Sequence, residues 1–462
     1  MLNKLAAYLD SLRGKRVAVI GIGVSNTPLV KLLLSAGVSV TACDRKERSD
    51  FSAIAGELES SGAELKLGPG YLTGLGHDVI FRTPGMRPDL PELEEARRSG
   101  SVVTSEMEVF FSVCPCKIIG VTGSDGKTTT TTLISEMLKH AGHTVHLGGN
   151  IGRPLLADAP IIKPGDFAVL ELSSFQLMTL RGSPDIAVVT NLSPNHLDMH
   201  KNMDEYIEAK TNIFAHQSKD GVLVLNSDNE ITRSFALSAR GRVRWFSRRS
   251  PCEGVYQRGD ILVRREGGVE SELFPSKEIL LPGIHNIENY MAAMTALADL
   301  VPAGSMLEVA RTFMGVEHRN ELIRELGGVR YYNSTIASSP TRTIADIRAY
   351  DRKPILIAGG YDKNIPFDAL GEEIARSCKA LVLCGATAEK IRAAVVKTSG
   401  GEDFPVHMTT SFREAVLKAS SLAAEGDVVL LSPACASFDL FVNFAERGQE
   451  FRKIVEGLEA TQ

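Results

Sequence analysis

The chain has 462 residues, 44% of them hydrophobic and 23% charged, with a net charge of −5. That is the mix of a globular protein of about three domains, with enough core to need no disulfide or metal staples. The slight acidic excess argues against a basic nucleic-acid footprint, and no uncharged apolar run reaches the roughly 18 residues that a membrane span needs.

The N-terminal stretch MLNKLAAYLDSLRGKR carries Asp10 among apolar residues and predicts an amphipathic first helix rather than a signal peptide. KRVAVIG (15–21) predicts a strand, followed by a helix near 27–36 and a second strand, VSVTACD (38–44). GIGVSN (21–26) follows the first strand as a dinucleotide fingerprint would, but Asn26 stands where the third glycine belongs. Asp44 ends the second strand, where such folds place a ribose-binding acid. Three readings stay open here: a nicotinamide dinucleotide, another nucleotide-linked ligand, or a purely structural turn.

Seven cysteines are scattered along the chain. Cys114-Pro-Cys116, the one close pair, lacks the spacing of a redox or zinc motif, so these read as buried thiols in a reducing cytoplasm. That pair also marks a predicted boundary, before the strand KIIGVT (117–122). GVTGSDGKTTTT (120–131) then lies between this strand and a helix beginning at Lys127. A glycine-rich turn at a helix N-terminus aims backbone N–H groups at an anion, and the helix dipole adds to the attraction. Gly123, Ser124, Asp125, Gly126 and Thr129 would line a nucleotide phosphate chain, with Lys127 toward the β/γ-phosphates and Thr128 toward Mg²⁺. Val121 stands where the strict phosphate-loop pattern has its first glycine.

FAVLEL (167–172) and IAVVTN (186–191) predict further buried strands. Glu171 at the end of the first is placed as a Mg²⁺ ligand would be. NLSPNHLDMH (191–200) offers His196, Asp198 and His200 at the end of the second; His196 reads as a metal or substrate contact or as structural. EYIEAKTNIF (205–214) predicts a helix carrying Lys210, which by itself reads as a solvated lysine. The stretch 241–281 predicts a small antiparallel insert. A last set of strands, PILIAGG (354–360), ALVLCG (380–385) and DVVLLS (427–432), alternates with helices and implies a parallel sheet covered on both faces.

Taken in this order, the loop 120–131, Glu171, HNIEN (285–289) and EHRNE (317–321) resemble the Mur ligases, over nearly the whole chain. LELSSFQL (170–177), GGYDKN (359–364) and SPACASFDLFVNFAERGQEF (432–451) are similar to the D-glutamate-adding branch. The resemblance implies three α/β domains. A Rossmann-like nucleotide fold for the UDP substrate would occupy 1–114, a central P-loop ATP fold 115–316 and a Rossmann-like amino-acid domain 317–462. It implies an ATP- and Mg²⁺-dependent cytoplasmic monomer joining UDP-N-acetylmuramoyl-L-alanine to D-glutamate. Two alternatives are a sister ligase adding L-alanine and a non-catalytic nucleotide-binding homologue.

By position, the resemblance assigns Asn286 and Asn289 to the adenine end, His318 to the ribose and Arg319 to the γ-phosphate. Val24, Ser25, Asp44, Arg45 and Gly85 would hold the uridine diphosphate, and Asn150 and His196 would lie near the muramoyl-alanine and a second Mg²⁺. Lys210 matches a lysine that the family carbamylates, which would place it with Thr128, Glu171 and His196 as a metal ligand. Ser338, Lys363, Ser437 and Phe444 would grip D-glutamate. One departure stands out. In YYNSTIASSPTRT (331–343), where many members read N-D-S-K-A-T-N, Ser334 replaces the acid and Ile336 the lysine, so either other groups position ribose and phosphate in this branch or His318 and Arg319 carry more of that work.

Overall fold

The computed structural model describes residues 4–23, 26–193, 200–363, 365–398, 400 and 402–459. The chain forms two compact units, Met1–Ser276 with Glu288–Val309, and Lys277–Ile287 with Ala310–Gln462.

The first unit holds two sheets. One is five-stranded and wholly parallel, in the order Glu64–Leu67, Ser39–Asp44, Arg16–Ile20, Val79–Phe81, Val102–Thr104. Arg16–Ile20 is central because four consecutive residues, Val17 to Ile20, are apolar and buried on both faces. The reversal of strand order beside it puts Gly21 to Gly23, just after the strand, at the crevice where ligands of such sheets bind. Asn26 replaces the missing glycine with a contact of its own, since its buried side chain donates to Ile20 O at 2.9 Å.

The second sheet has nine strands. Its parallel centre runs Val222–Asn226, Ile186–Val189, Lys117–Thr122, Phe167–Glu171, Val145–Gly149. The expected small antiparallel insert is corrected here. Arg242–Ser247 pairs parallel with Val222–Asn226, and Gly254–Arg258 pairs parallel with Arg242–Ser247. Only Ile261–Glu266 and Val269–Pro275 turn antiparallel, so the stretch extends the main sheet instead of standing apart. The pairing was decided by the open edge of Val222–Asn226, a non-local partner that local alternation does not reveal.

The second unit is one six-stranded sheet in the order Glu321–Leu326, Val329–Asn333, Val428–Leu431, Ile355–Ala358, Ala380–Leu383, Val406–Met408. All pairs are parallel except the first, an edge hairpin. Fully buried strands such as Val428–Leu431 and Ile355–Ala358 separate two apolar layers, one built on Leu356, Leu381 and Leu430, the other on Ile357, Val382 and Val429.

Candidate active site

The phosphate loop follows the central strand Lys117–Thr122 and leads into the helix Lys127–His140. Two glycines are required by contact as well as by conformation. Gly123 has φ +151° and Gly126 φ +77°; a Cβ on the first would lie 1.9 Å from Thr190 Oγ1, and on the second 2.2 Å from Asn289 Oδ1. The next strand end clamps the loop, since Asn191 O accepts from Ser124 N at 2.9 Å and Asp125 O accepts from Thr190 Oγ1 at 2.6 Å. Lys127 Nζ folds back onto Gly123 O at 3.0 Å and Ser124 O at 2.8 Å.

Lys210 is not a solvated lysine. It is 1% exposed, on the helix Met203–Ala215, and its Nζ donates to Gly123 O at 3.0 Å and Thr122 Oγ1 at 3.1 Å. The Tyr206 ring centroid lies 4.8 Å from the same amine, and the Tyr206 hydroxyl is 3.0 Å from Ser124 Oγ. Burial pushes the Lys210 pKa well below the ordinary lysine value; Lys127 pushes it the same way, and Glu171 and Asp125 oppose.

Glu171 ends the strand Phe167–Glu171 and is 2% exposed. Its Oε1 accepts from Asn150 Nδ2 at 2.8 Å, while its buried Oε2 has no hydrogen-bond partner in the protein. A buried carboxylate oxygen with nothing to accept from is costly unless a ligand or cation completes it. Asn150 is therefore held at the phosphate-loop sheet edge, where its own N–H also meets Glu171 O at 2.8 Å.

In the N-terminal sheet Asp44 secures the glycine turn, accepting from Ile22 N at 2.7 Å and Lys46 N at 3.0 Å. Arg45 and Gly85 are exposed. Val24, Ser25 and His196 lie outside the described residues.

In the second unit His318 and Asn320 take left-handed conformations, φ +67° and +43°, on either side of Arg319. Such conformations are unusual for non-glycine residues and are held here by side-chain bonds. His318 N donates to Glu321 Oε2 at 3.0 Å, and Asn333 Nδ2 lies 3.2 Å from His318 Nδ1. The His318 ring meets Phe444 edge-on at 6.0 Å, and burial lowers its pKa. Asn286, in this unit, donates to Pro282 O at 2.7 Å; Asn289 belongs to the first unit. The motifs GGYDKN and SPACAS meet where Tyr361 N donates to Ala436 O at 2.9 Å. Ser437 is 2% exposed, with a hydroxyl that has no protein partner. Lys363 is exposed, and Ser338 is half-buried in the turn after Ile336.

Residues 121–297 match the Mur ligase middle domain and residues 318–435 the Mur ligase glutamate ligase domain. A UDP-N-acetylmuramoylalanine–D-glutamate ligase of Acetivibrio thermocellus is 52% identical, with 100% of each chain covered. The chain belongs to the Mur ligase family. A ligase of the same name from Ruminiclostridium cellulolyticum is 51% identical over 99% of this chain and 100% of its own. Among solved structures, the UDP-N-acetylmuramate–alanine ligase of Thermotoga maritima is similar at a TM-score of 0.59 and 16% identity, covering 96% of this chain and 99% of its own. That likeness shows the fold alone.

The geometry of this Mur ligase also carries residues that the sequence reading passed over. Arg447 is 3% exposed and spreads its guanidinium over Thr335 Oγ1 (2.9 Å), Thr335 O (3.0 Å), Cys435 O (3.1 Å) and Ala436 O (3.2 Å). It thereby ties the 334–338 turn to the 433–437 loop. His200, named with His196 as a candidate, is structural in its contacts: it stacks on Phe175 and bonds Ser174 Oγ at 2.9 Å. Arg87 joins Glu205 at 2.9 Å, fixing the N-terminal sheet's loop to the helix that bears Lys210. The periodicity of a sequence carries no signal for such long-range polar bonds; the presence of Arg447 within NFAERGQEF was the only hint.

Proposed function

We infer that this Mur ligase is the ATP-dependent enzyme that joins D-glutamate to UDP-N-acetylmuramoyl-L-alanine in peptidoglycan precursor synthesis. The observation that carries the reading is full-length identity of 52% and 51% to ligases of that name, on a chain that gathers Lys127, Glu171 and Lys210 around the ends of two interior strands. The alanine-adding alternative draws only on a likeness of fold at 16% identity, and a buried, unpartnered Glu171 Oε2 is hard to reconcile with a non-catalytic homologue.

The chemistry transfers the ATP γ-phosphoryl group to the L-alanine carboxylate, giving an acyl phosphate. The D-glutamate amine attacks that carbonyl, and the tetrahedral intermediate collapses to the amide with loss of phosphate. Two anions must meet in the first step. Backbone N–H groups of Gly126, Lys127 and Thr128 at the helix N-terminus would receive the phosphate chain, since those of Ser124 and Asp125 are given to Asn191, and the charges of Lys127 and Arg319 would offset the repulsion. Asn286, Asn289 and His318 would hold the adenosine end, and Val24, Ser25, Asp44, Arg45 and Gly85 the uridine diphosphate. Ser437, with its unfilled hydroxyl, would join Ser338, Lys363 and Phe444 around D-glutamate.

Mg²⁺ fits the donor set, because Glu171 presents a buried oxygen without a protein partner. Thr128, Glu171, His196 and a carbamylated Lys210 would hold it, and when bound it would neutralise charge on the phosphoryl oxygens. A neutral lysine amine adds to CO₂ to give a carbamate and a proton, and burial of Lys210 favours that neutral form.

The division into 1–114, 115–316 and 317–462 is supported by the sheets, whose strands fall within 16–104, 117–275 and 321–431. No described helix is long and apolar enough to cross a membrane; a cytoplasmic monomer is the proposed working form. Phosphate release with UDP-N-acetylmuramoyl-L-alanine across a panel of amino acids tests the function. Release should require D-glutamate, and equal release with L-alanine would refute the assignment.

A further inference from the structure

Strands Val329–Asn333 and Val428–Leu431 are paired neighbours, and the residue just beyond each is a serine, Ser334 and Ser432. Both serines are buried, at 1% and 0% exposure, and both face Asp346 on the helix Pro340–Ile347. Ser432 Oγ donates to Asp346 Oδ2 at 2.7 Å, and Asn320 Nδ2 donates to Asp346 Oδ1 at 3.0 Å. Asn320 is the left-handed residue directly after Arg319, and its own Oδ1 accepts from Tyr350 OH at 3.3 Å. Asp346 thus pins the strained turn that aims Arg319, and the Arg319 charge reaches the Asp346 carboxyl.

We propose that Asp346 is a positioning residue for Arg319, supplying from the helix Pro340–Ile347 the carboxylate that position 334 lacks in this chain. The proposal rests on the reading of Arg319 as a γ-phosphate contact. Three things converge on it. Ser334 occupies the place of an acid, so the strand end itself brings no charge. Asp346 stands within hydrogen-bonding reach of that serine. Its remaining partners are neutral donors, Ser432 and Asn320, so Arg319 is the cation that balances it among the groups acting on it. Burial is the strongest influence and raises the Asp346 pKa above the ordinary carboxylate value, while the three hydrogen-bond donors and Arg319 oppose it and favour the ionised form. A carboxylate in this place does two things. It locks Asn320 and so the backbone of Arg319, and it holds the guanidinium from swinging away before nucleotide arrives.

The test is an acid exchange in the full chain, read as kcat and ATP KM in the phosphate-release assay. Asp346→Asn keeps the size, the oxygen that accepts from Asn320 Nδ2 and, through its NH2, a donor that Ser432 Oγ can accept from, but removes the charge. It should fold with a melting midpoint close to wild type and lose about 10- to 100-fold in kcat/KM for ATP, the scale of a misplaced charged group. KM for D-glutamate should stay unchanged. Ser334→Asp in the Asp346→Ser background returns one acid to the cluster and should recover most of the loss, whereas Ser334→Asp alone crowds two acids and should impair turnover. A folded Asp346→Asn variant with wild-type ATP kinetics, or an exchange variant that folds without recovering activity, would overturn the proposal. Arg319→Ala separates the two layers: wild-type ATP kinetics there would sink the reading of Arg319 and this proposal with it. A crippled Arg319→Ala beside a wild-type Asp346→Asn sinks this proposal alone.

Discussion

Glu106 offers a sharp test of how the N-terminal sheet is joined to the ATP-binding sheet. It sits in the first turn of the helix Glu106–Val113, is 7% exposed, and its Oε1 accepts from Leu156 N at 2.7 Å. Burial pushes its pKa from 4.5 up to about 7, against the pull of the Leu156 and Leu155 amides. The folded state therefore holds a proton that the unfolded chain has lost between those two values. Stability linked to this group is present below pH 4.5 and declines as pH rises through 7. A shift of this size corresponds to about 3 kcal/mol, given roughly 1.4 kcal/mol per pH unit. Glu106→Gln keeps an acceptor for Leu156 N and removes the titration. The gap in stability between variant and wild type should then move in the variant's favour by about 3 kcal/mol from pH 4.5 to 8. For a unit of this size that is a change of about 5 °C in melting midpoint. Thermal unfolding of both proteins across this pH range, with hydrogen exchange at the Leu155 and Leu156 amides, reads it. A gap that does not change with pH would refute the reasoning.

Other substitutions address the ligase chemistry. Lys210→Ala should be nearly inactive and partly restored by acetate or formate, which refill an anionic site. Labelled CO₂ should give a carbamate carbon signal in the wild type and none in the variant, and an alanine variant with normal turnover would refute the role. Lys127→Ala should cut acyl-phosphate formation by roughly 10²- to 10³-fold while the circular-dichroism spectrum stays unchanged. Lys363→Ala should raise the KM for D-glutamate by roughly 10- to 150-fold with little change in the ATP KM, the cost of one charged hydrogen bond.

Much of the fold was legible because its parallel strands are buried on both faces. Runs such as IIGV, FAVL and VVLL read as strands because both their faces are apolar and buried, with Thr122 and Glu171 coming only at the strand ends. The stretch 241–281 misled because its short strands, VRWFS and ILVRR, and its glycine-rich turn look like a free-standing antiparallel unit. Arg244 is instead 6% exposed and paired with Asp299 at 2.6 Å, which allows its strand to join the main sheet. For the site, motifs revealed what lies within a few residues of a strand end, such as Lys127 and Glu171. They could not reveal Asp346 or Arg447, which reach partners as far as 86 and 112 residues away, Ser432 and Thr335. Nor could they show that His200, near His196 in sequence, is sealed against Phe175 and Ser174.

Lys210 shows how tertiary structure turns an ordinary residue into a chemical one. Gly123 O accepts from Lys127 Nζ and from Lys210 Nζ, each at 3.0 Å. Two ammonium groups on one carbonyl repel each other, and the buried one has the weaker claim to its proton. Lys127 is only half-buried, so burial and the Lys127 charge together favour loss of the proton from Lys210. The amine so exposed is nucleophilic, and it stands near Glu171, whose Oε2 lacks any protein partner. As a carbamate the same side chain would carry negative charge, turning repulsion from Lys127 into attraction and giving Glu171 an anionic neighbour. Two anions at these strand ends are unstable without a cation between them. On the proposed roles, modification of Lys210 and divalent-cation binding would be coupled, so cation affinity should fall when CO₂ is removed and carbamate occupancy should fall when the cation is chelated. Independence of the two would break this argument at its central step.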